Sequence, residues 1–155
     1  MKLSQSVAAI ALLIAGSITP LSLRPASAAS EQAQALEAAG FFGNWSLRCD
    51  RAPGPANILR QAYISATGEA GFSESMGPDI APNVYRVLDV AVSGTTVVLD
   101  VELNAAIQQR LTMRIDGNRI RTMANELPDG RLLVKDGVVT TVGVQTPWLN
   151  RCGPK

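Results

Sequence analysis

The sequence contains no histidine, so the commonest general base and the commonest metal ligand are both missing. Ser-His and Cys-His nucleophile pairs cannot be assembled. Two cysteines alone, Cys49 and Cys152, do not complete a structural zinc site. No P-loop and no dinucleotide-binding glycine pattern occurs. What remains for catalysis is a pair of carboxylates, Asp100 and Glu102, placed two apart so that they share one face of a strand. A glycoside hydrolase could draw an acid and a base from such a pair. Their alternation with Val97, Leu99, Val101 and Leu103 reads more simply as a solvated outer face. A carboxylate-based hydrolase is therefore the third reading, behind two non-catalytic ones, and neither a metal nor a cofactor is expected.

Binding chemistry rests on arginine and tryptophan. Arg86 shares the parity of Val84, Leu88, Val90 and Val92, which places a charged group on an otherwise apolar face. Such a group must be paired or must reach water. Glu74, on a face with Phe72 and Met76, is the expected partner; a free guanidinium there would orient an anionic ligand. A β-bulge before Val87 would instead turn Arg86 outward. A second cluster, Arg110, Arg114, Arg119 and Arg121, falls on one outer face of a hairpin. It reads as an anion-binding patch or, more plainly, as a solvated face that discourages edge pairing. Trp148, between Pro147 and Cys152, is a candidate ligand platform or a rim aromatic.

The elements that position these residues begin after a segment with the marks of a secretory signal. Lys2 precedes the apolar run Val7 to Ile14, and Ala26 and Ala28 fit a small-residue cleavage site after Ala28. The run is too short to span a bilayer as a helix, so a periplasmic or secreted protein without a membrane span in its mature form is expected. Loss of Lys2 and Arg24 changes the net charge from +1 to −1, which gives no global attraction to nucleic acid. The organisation expected is a signal peptide at 1–28, an N-terminal arm or short helix at 29–40, capped by Ser30 and stopped by Gly40, and a single β domain at 41–155. In an exported chain the two cysteines form one bridge, Cys49 to Cys152.

From Phe41 onward Val, Ile and Thr dominate and turn signals recur at short intervals, the pattern of an all-β sandwich or barrel. Strands are expected near 44–49, 57–66, 71–76, 84–92, 95–103, 107–115, 118–125, 131–135 and 138–145. Ser93-Gly94, Asp116-Gly117 and Asp136-Gly137 mark two-residue hairpins, and Leu127-Pro128-Asp129-Gly130 marks a longer turn. The fold class is thus an antiparallel meander of eight or nine strands, a small barrel or barrel-like sandwich. With Ser93-Gly94 as turn centre, Val92 faces Thr95, Val90 faces Val97, Leu88 faces Leu99 and Val84 faces Leu103. The loops at 50–56, 77–83, 104–106 and 127–130 gather at one end, where both cysteines are also expected. Nine strands in sequence would leave the first and last parallel, so either 71–76 lies outside the barrel or the sheet is an open or sandwiched one.

Gly43-Asn44-Trp45 at the start of the first strand, with Arg151 after the last, resembles the G-x-W opening and late arginine of calycin barrels: lipocalins, avidin-like proteins and small bacterial metalloprotease inhibitors. The resemblance implies that the tryptophan closes the barrel floor and the arginine packs across it. The chain is short for a lipocalin and shows no second lipocalin motif; the inhibitors fit its size better and carry an arm before their G-x-W. The runs Thr146 to Cys152, Met76-Gly77-Pro78 and Pro82 to Tyr85 also resemble small exported alphaproteobacterial proteins, a likeness that implies an origin and no activity. The function expected is a non-catalytic periplasmic module that binds a small ligand or inhibits a protein partner. The alternative is a structural envelope domain without a ligand.

Overall fold

The computed structural model describes residues 26–153, with side chains from residue 31. It is a closed antiparallel barrel with one short helix. The helix α1 (Ala26–Ala38) is followed by ten strands: β1 (Gly43–Ser46), β2 (Leu59–Ile64), β3 (Ala70–Ser75), β4 (Asn83–Ser93), β5 (Thr96–Leu103), β6 (Ile107–Asp116), β7 (Arg119–Glu126), β8 (Leu132–Lys135), β9 (Val138–Val139) and β10 (Leu149–Cys152). The expected signal segment lies outside the described residues except for Ala26 to Ala28, which open α1. Ser30 is inside the helix rather than at its cap, because the Ala-rich run extends helical propensity upstream. Gly40 ends it at φ 71°, where the absence of a Cβ removes the left-handed penalty.

Strands β1 to β7 pair in sequence, and β10 closes the ring by pairing with both β1 and β7. The expected strand at 138–145 is only the two-residue β9, which with β8 forms a hairpin outside the ring. The eighth barrel strand is Leu149–Cys152, a segment expected to follow the last strand. Strand 70–75 is a full barrel member between β2 and β4. Closure through β10 makes every pairing antiparallel, so the parallel first-to-last contact never arises.

The first long hairpin turns on Gly94-Thr95, between Ser93 and Thr96, one residue later than expected. Val92 therefore pairs Val97 and Val90 pairs Leu99. A bulge between Val87 and Asp89 then exchanges the two faces of β4. Below it Tyr85 and Val87 point into the core, while Val84 and Arg86 point out. Asp136-Gly137 turns as expected, with both residues at positive φ. The β6–β7 turn is centred on Gly117-Asn118, again one residue late, and it preserves the expected apolar face of Leu111, Met113, Ile115 and Ile120.

The lower barrel is filled by its own side chains. Trp45, Phe72, Val97, Leu99, Val101, Met113 and Ile120 are fully buried, and Leu36 of α1 and Phe41 join them from the closed end. Trp45 donates Nε1 to Phe41 O at 2.9 Å. The Arg151 guanidinium lies 4.0 Å from the Trp45 ring and donates to the carbonyls of Phe42 and Gly40. Burial lowers its pKa. A Cβ on Gly43 would come within 2.9 Å of Arg151 Nη1, so the glycine of Gly-x-Trp is the gap through which the arginine reaches the tryptophan.

Cys49 and Cys152 form the disulfide, with Cα atoms 5.3 Å apart. Its expected position at the long-loop end is not observed. Cys152 pairs Asn44 at the entry to β1, while Cys49 follows the exit of β1, so residues 47–49 bend back to meet it.

Candidate functional site

The ring is weakest where β10 meets β7. Two register pairs hold that seam, Leu149 with Ile120 and Asn150 with Arg119, and beside them the Arg151 N–H donates to Asn118 O at 2.8 Å. Beyond Ile120, β7 leaves β10 and pairs instead with β8. The barrel wall therefore parts toward the long-loop end, and residues 138–147 cross the gap as a strap. Between strap and barrel is a cavity of 480 Å3, within the range of small-molecule sites.

The polar floor of the cavity comes from four strands, β2, β3, β4 and β7. Arg60 on β2 has a side chain 7% exposed and faces Glu74 on β3, which is 19% exposed. Arg60 Nε and Nη2 both donate to Glu74 Oε1, at 3.0 and 2.6 Å. Nη2 also donates to Thr122 Oγ1 across the open seam at 3.1 Å, and Nη1 lies 3.3 Å from Met113 Sδ. The guanidinium is 5.5 Å from the centre of the Phe72 ring, which stacks on Tyr85. The Tyr85 hydroxyl donates to Glu74 Oε2 at 3.4 Å. Burial, followed by the Glu74 charge, pushes the Tyr85 phenol well above its ordinary value, so it is a neutral donor at any physiological pH.

The apolar wall is supplied by Ile58, Val134, Val139, Leu149 and the strap valines. Val142 and Val144 are 67% and 61% exposed, unusual for aliphatic side chains beside a cavity. The strap is tied down behind them. Thr146 Oγ1 donates to Thr122 O at 2.6 Å, Arg121 Nη2 donates to Gly137 O at 2.7 Å, and Arg121 Nε donates to Thr146 Oγ1. A Cβ on Gly137 would sit 2.7 Å from Arg121 Nη2, so a side chain there would push the guanidinium aside.

The expected pairing of Arg86 with Glu74 is corrected by this geometry. Glu74 does lie at the site, but Arg60 is its partner. Arg86 is on the outer face, 49% exposed, and bonds Glu102 at 3.0 Å. The cause is the bulge after Val87, which reverses the parity on which the inward placement depended. Asp100 is held by Arg110 through two bonds of 2.8 and 2.9 Å. The two carboxylates weighed for hydrolysis are thus each bonded to an arginine on the outer wall.

The four-arginine face is not one patch. Arg110 pairs Asp100 and Arg119 pairs Asp116, Arg121 lies under the strap, and Arg114 is exposed without an ion pair among the described residues. Trp148 is half-buried against this face, with Arg119 at 4.9 Å and Arg121 at 5.9 Å from its ring. It anchors the strap where β10 begins and is not part of the cavity wall. A second hollow, of 420 Å3, lies beside Asp89, Asp100, Arg110, Glu126 and Pro128, with Asp100 and Arg110 bonded to each other.

Arg60, Tyr85, Thr122 and Asn125 are the cavity residues that sequence reasoning missed. Arg60 carried a usable signal, since it shares parity with Ile58, Ala62 and Ile64. Its parity conflicted with Leu59 and Tyr63 on the opposite face, so neither side of that strand read as dry. No group of three or more metal-ligating side chains occurs among the described residues, and none of their helices is long and apolar enough to cross a membrane. No family model matches the chain, nor does any curated protein or solved structure.

Proposed function

We propose that this protein is an exported, non-catalytic binding module that takes a small amphiphilic molecule into the open seam of its barrel. The observation that carries the reading is the 480 Å3 cavity, which has a buried polar floor and an apolar wall that continues onto exposed valines. A domain built only for structure would gain by burying Val142 and Val144, since each removes apolar surface from water. Leaving them beside a cavity suits a wall completed by a ligand. Export is supported by the signal-like features of residues 1–28 and by the disulfide, which suits an oxidising compartment. A calycin-like reading of Gly43, Trp45 and Arg151, with Arg151 packed on Trp45, would favour the same conclusion.

The test is binding of N-phenylnaphthylamine, an uncharged fluorophore that brightens in apolar surroundings. Saturable binding at one site per chain is expected. The double variant Val142→Asp, Val144→Asp should weaken it at least tenfold while leaving the unfolding midpoint nearly unchanged, because both side chains are exposed. Absence of saturable binding, or equal binding by the variant, would remove the small-molecule reading and leave the structural envelope domain.

A further inference from the structure

We propose, resting on that binding reading, that the cavity selects uncharged amphiphiles whose head group donates hydrogen bonds, such as an alcohol or primary amide, over carboxylates of the same chain length. A buried arginine at the floor of an apolar cavity suggests at first a site for a carboxylate. The bonding of Arg60 argues the reverse. Two of its nitrogens are committed to Glu74 Oε1, one of these also to Thr122, and the third faces Met113 Sδ. Its charge is cancelled by a carboxylate already in contact. The other cation of the wall, Arg121, is held by Gly137 O, Thr146 Oγ1 and the Trp148 ring.

What the floor has to spare is acceptors. Glu74 Oε2 receives only the 3.4 Å bond from Tyr85, at the long limit for such a bond. Asn125 Oδ1 is buried without a partner among the described residues, its amide nitrogen being directed to Gln109. Glu74 lines the cavity, so a ligand that donates to its weakly bonded Oε2 gains a charge-assisted hydrogen bond there. A hydroxyl or amide N–H can do so, while an ionised carboxylate has no proton to give. Such a carboxylate would also approach the Glu74 charge in a poorly solvated site, where like charges repel more strongly than in water. A site with unpaired polar groups discriminates most sharply against ligands that cannot pair them.

The experiment measures displacement of N-phenylnaphthylamine from the disulfide-bonded chain by decanol, decanamide and decanoate at neutral pH. Decanol and decanamide should displace it at concentrations at least tenfold below decanoate. In Glu74→Gln the repelling charge is gone and Arg60 is released, so decanoate should gain at least tenfold while decanol changes little. Decanoate equal to or tighter than decanol on the unaltered protein overturns the inference, and so does a folded Glu74→Gln in which decanoate is unchanged. The ligand series on the unaltered protein decides the matter alone should that variant not fold. Displacement by none of the three would instead remove the binding reading itself, a result distinct from binding with the wrong head-group order.

Discussion

Replacing Arg60 with methionine is the most informative perturbation of the barrel. Methionine keeps much of the stem and removes the charge, leaving Glu74 with the Tyr85 hydroxyl and without its charged partner. Removing one member of a buried ion pair costs about 3–5 kcal/mol, because the remaining charge keeps its desolvation penalty. Glu74 is 19% exposed and retains some hydration, which points to the lower end, about 3 kcal/mol. For a domain of this size the midpoint should fall by roughly 10–15 °C. The double variant Arg60→Met, Glu74→Gln leaves no unpaired charge and should recover more than half of the loss. Urea unfolding followed by circular dichroism, on both single variants and the double, gives the coupling directly. A cost below about 1 kcal/mol for Arg60→Met, or a double variant no more stable than that single one, would show that the pair is solvated and the floor is not as described.

Three further outcomes follow from the same geometry. Arg121→Ser should destabilise by roughly 1.5–3 kcal/mol, since its charged bonds to Gly137 O and Thr146 hold the strap; serine at Arg110, Arg114 or Arg119 should change stability by no more than about 0.5 kcal/mol in the same urea assay. Reducing the Cys49–Cys152 bridge, which spans 103 residues, should cost up to about 4.7 kcal/mol on the chain-entropy account, read as a lowered thermal midpoint; thiol titration of the folded, unreduced protein should find none free. The Arg110 guanidinium holds the Asp100 carboxyl below its ordinary range. Its folded value is depressed, so its stabilisation is present above the unfolded carboxylate range and is lost as pH falls through the folded value. In Arg110→Ser, carboxyl NMR should place the Asp100 pKa higher than in the unaltered protein, since the charged partner that lowers it is gone.

How much of this was legible depended on whether a residue's surroundings were local. The strands from β4 to β7 announced themselves through alternation and glycine-centred turns, and a turn displaced by one residue left their apolar faces intact. A one-residue bulge did not. It has no composition of its own here, since Val87-Leu88-Asp89 continues the alternation on both sides, yet it moved Arg86 from core to solvent and Tyr85 from solvent to core. The closing strand was hidden for another reason. Leu149–Cys152 is short and polar at Asn150 and Arg151, and it becomes a strand only because β1 and β7 leave a space of one strand between them. The Cys49–Cys152 pairing could be inferred from count and compartment alone, but its position could not, because residues 47–49 bend back against the direction of β1.

The cavity and the closing strand have one cause. Because β10 is four residues long and pairs β7 at only two positions, the seam it closes cannot extend the full height of the barrel. The backbone of β7 above Ile120 must then find other partners, since unpaired buried amides are costly. It finds them in β8 at Asn125 and Glu126, and in Thr146, whose hydroxyl takes the Thr122 carbonyl. The hairpin and strap are thus the means by which a barrel with an incomplete seam satisfies its own edge. They cover that edge from outside rather than from within, so they enclose space instead of filling it. Arg60 bridges the same gap from below, from Glu74 to Thr122. A polar floor, an apolar cover and a volume between them therefore arise together from the shortness of one strand. Lengthening β10 so that it paired with β7 beyond Ile120 would close the seam and remove the site.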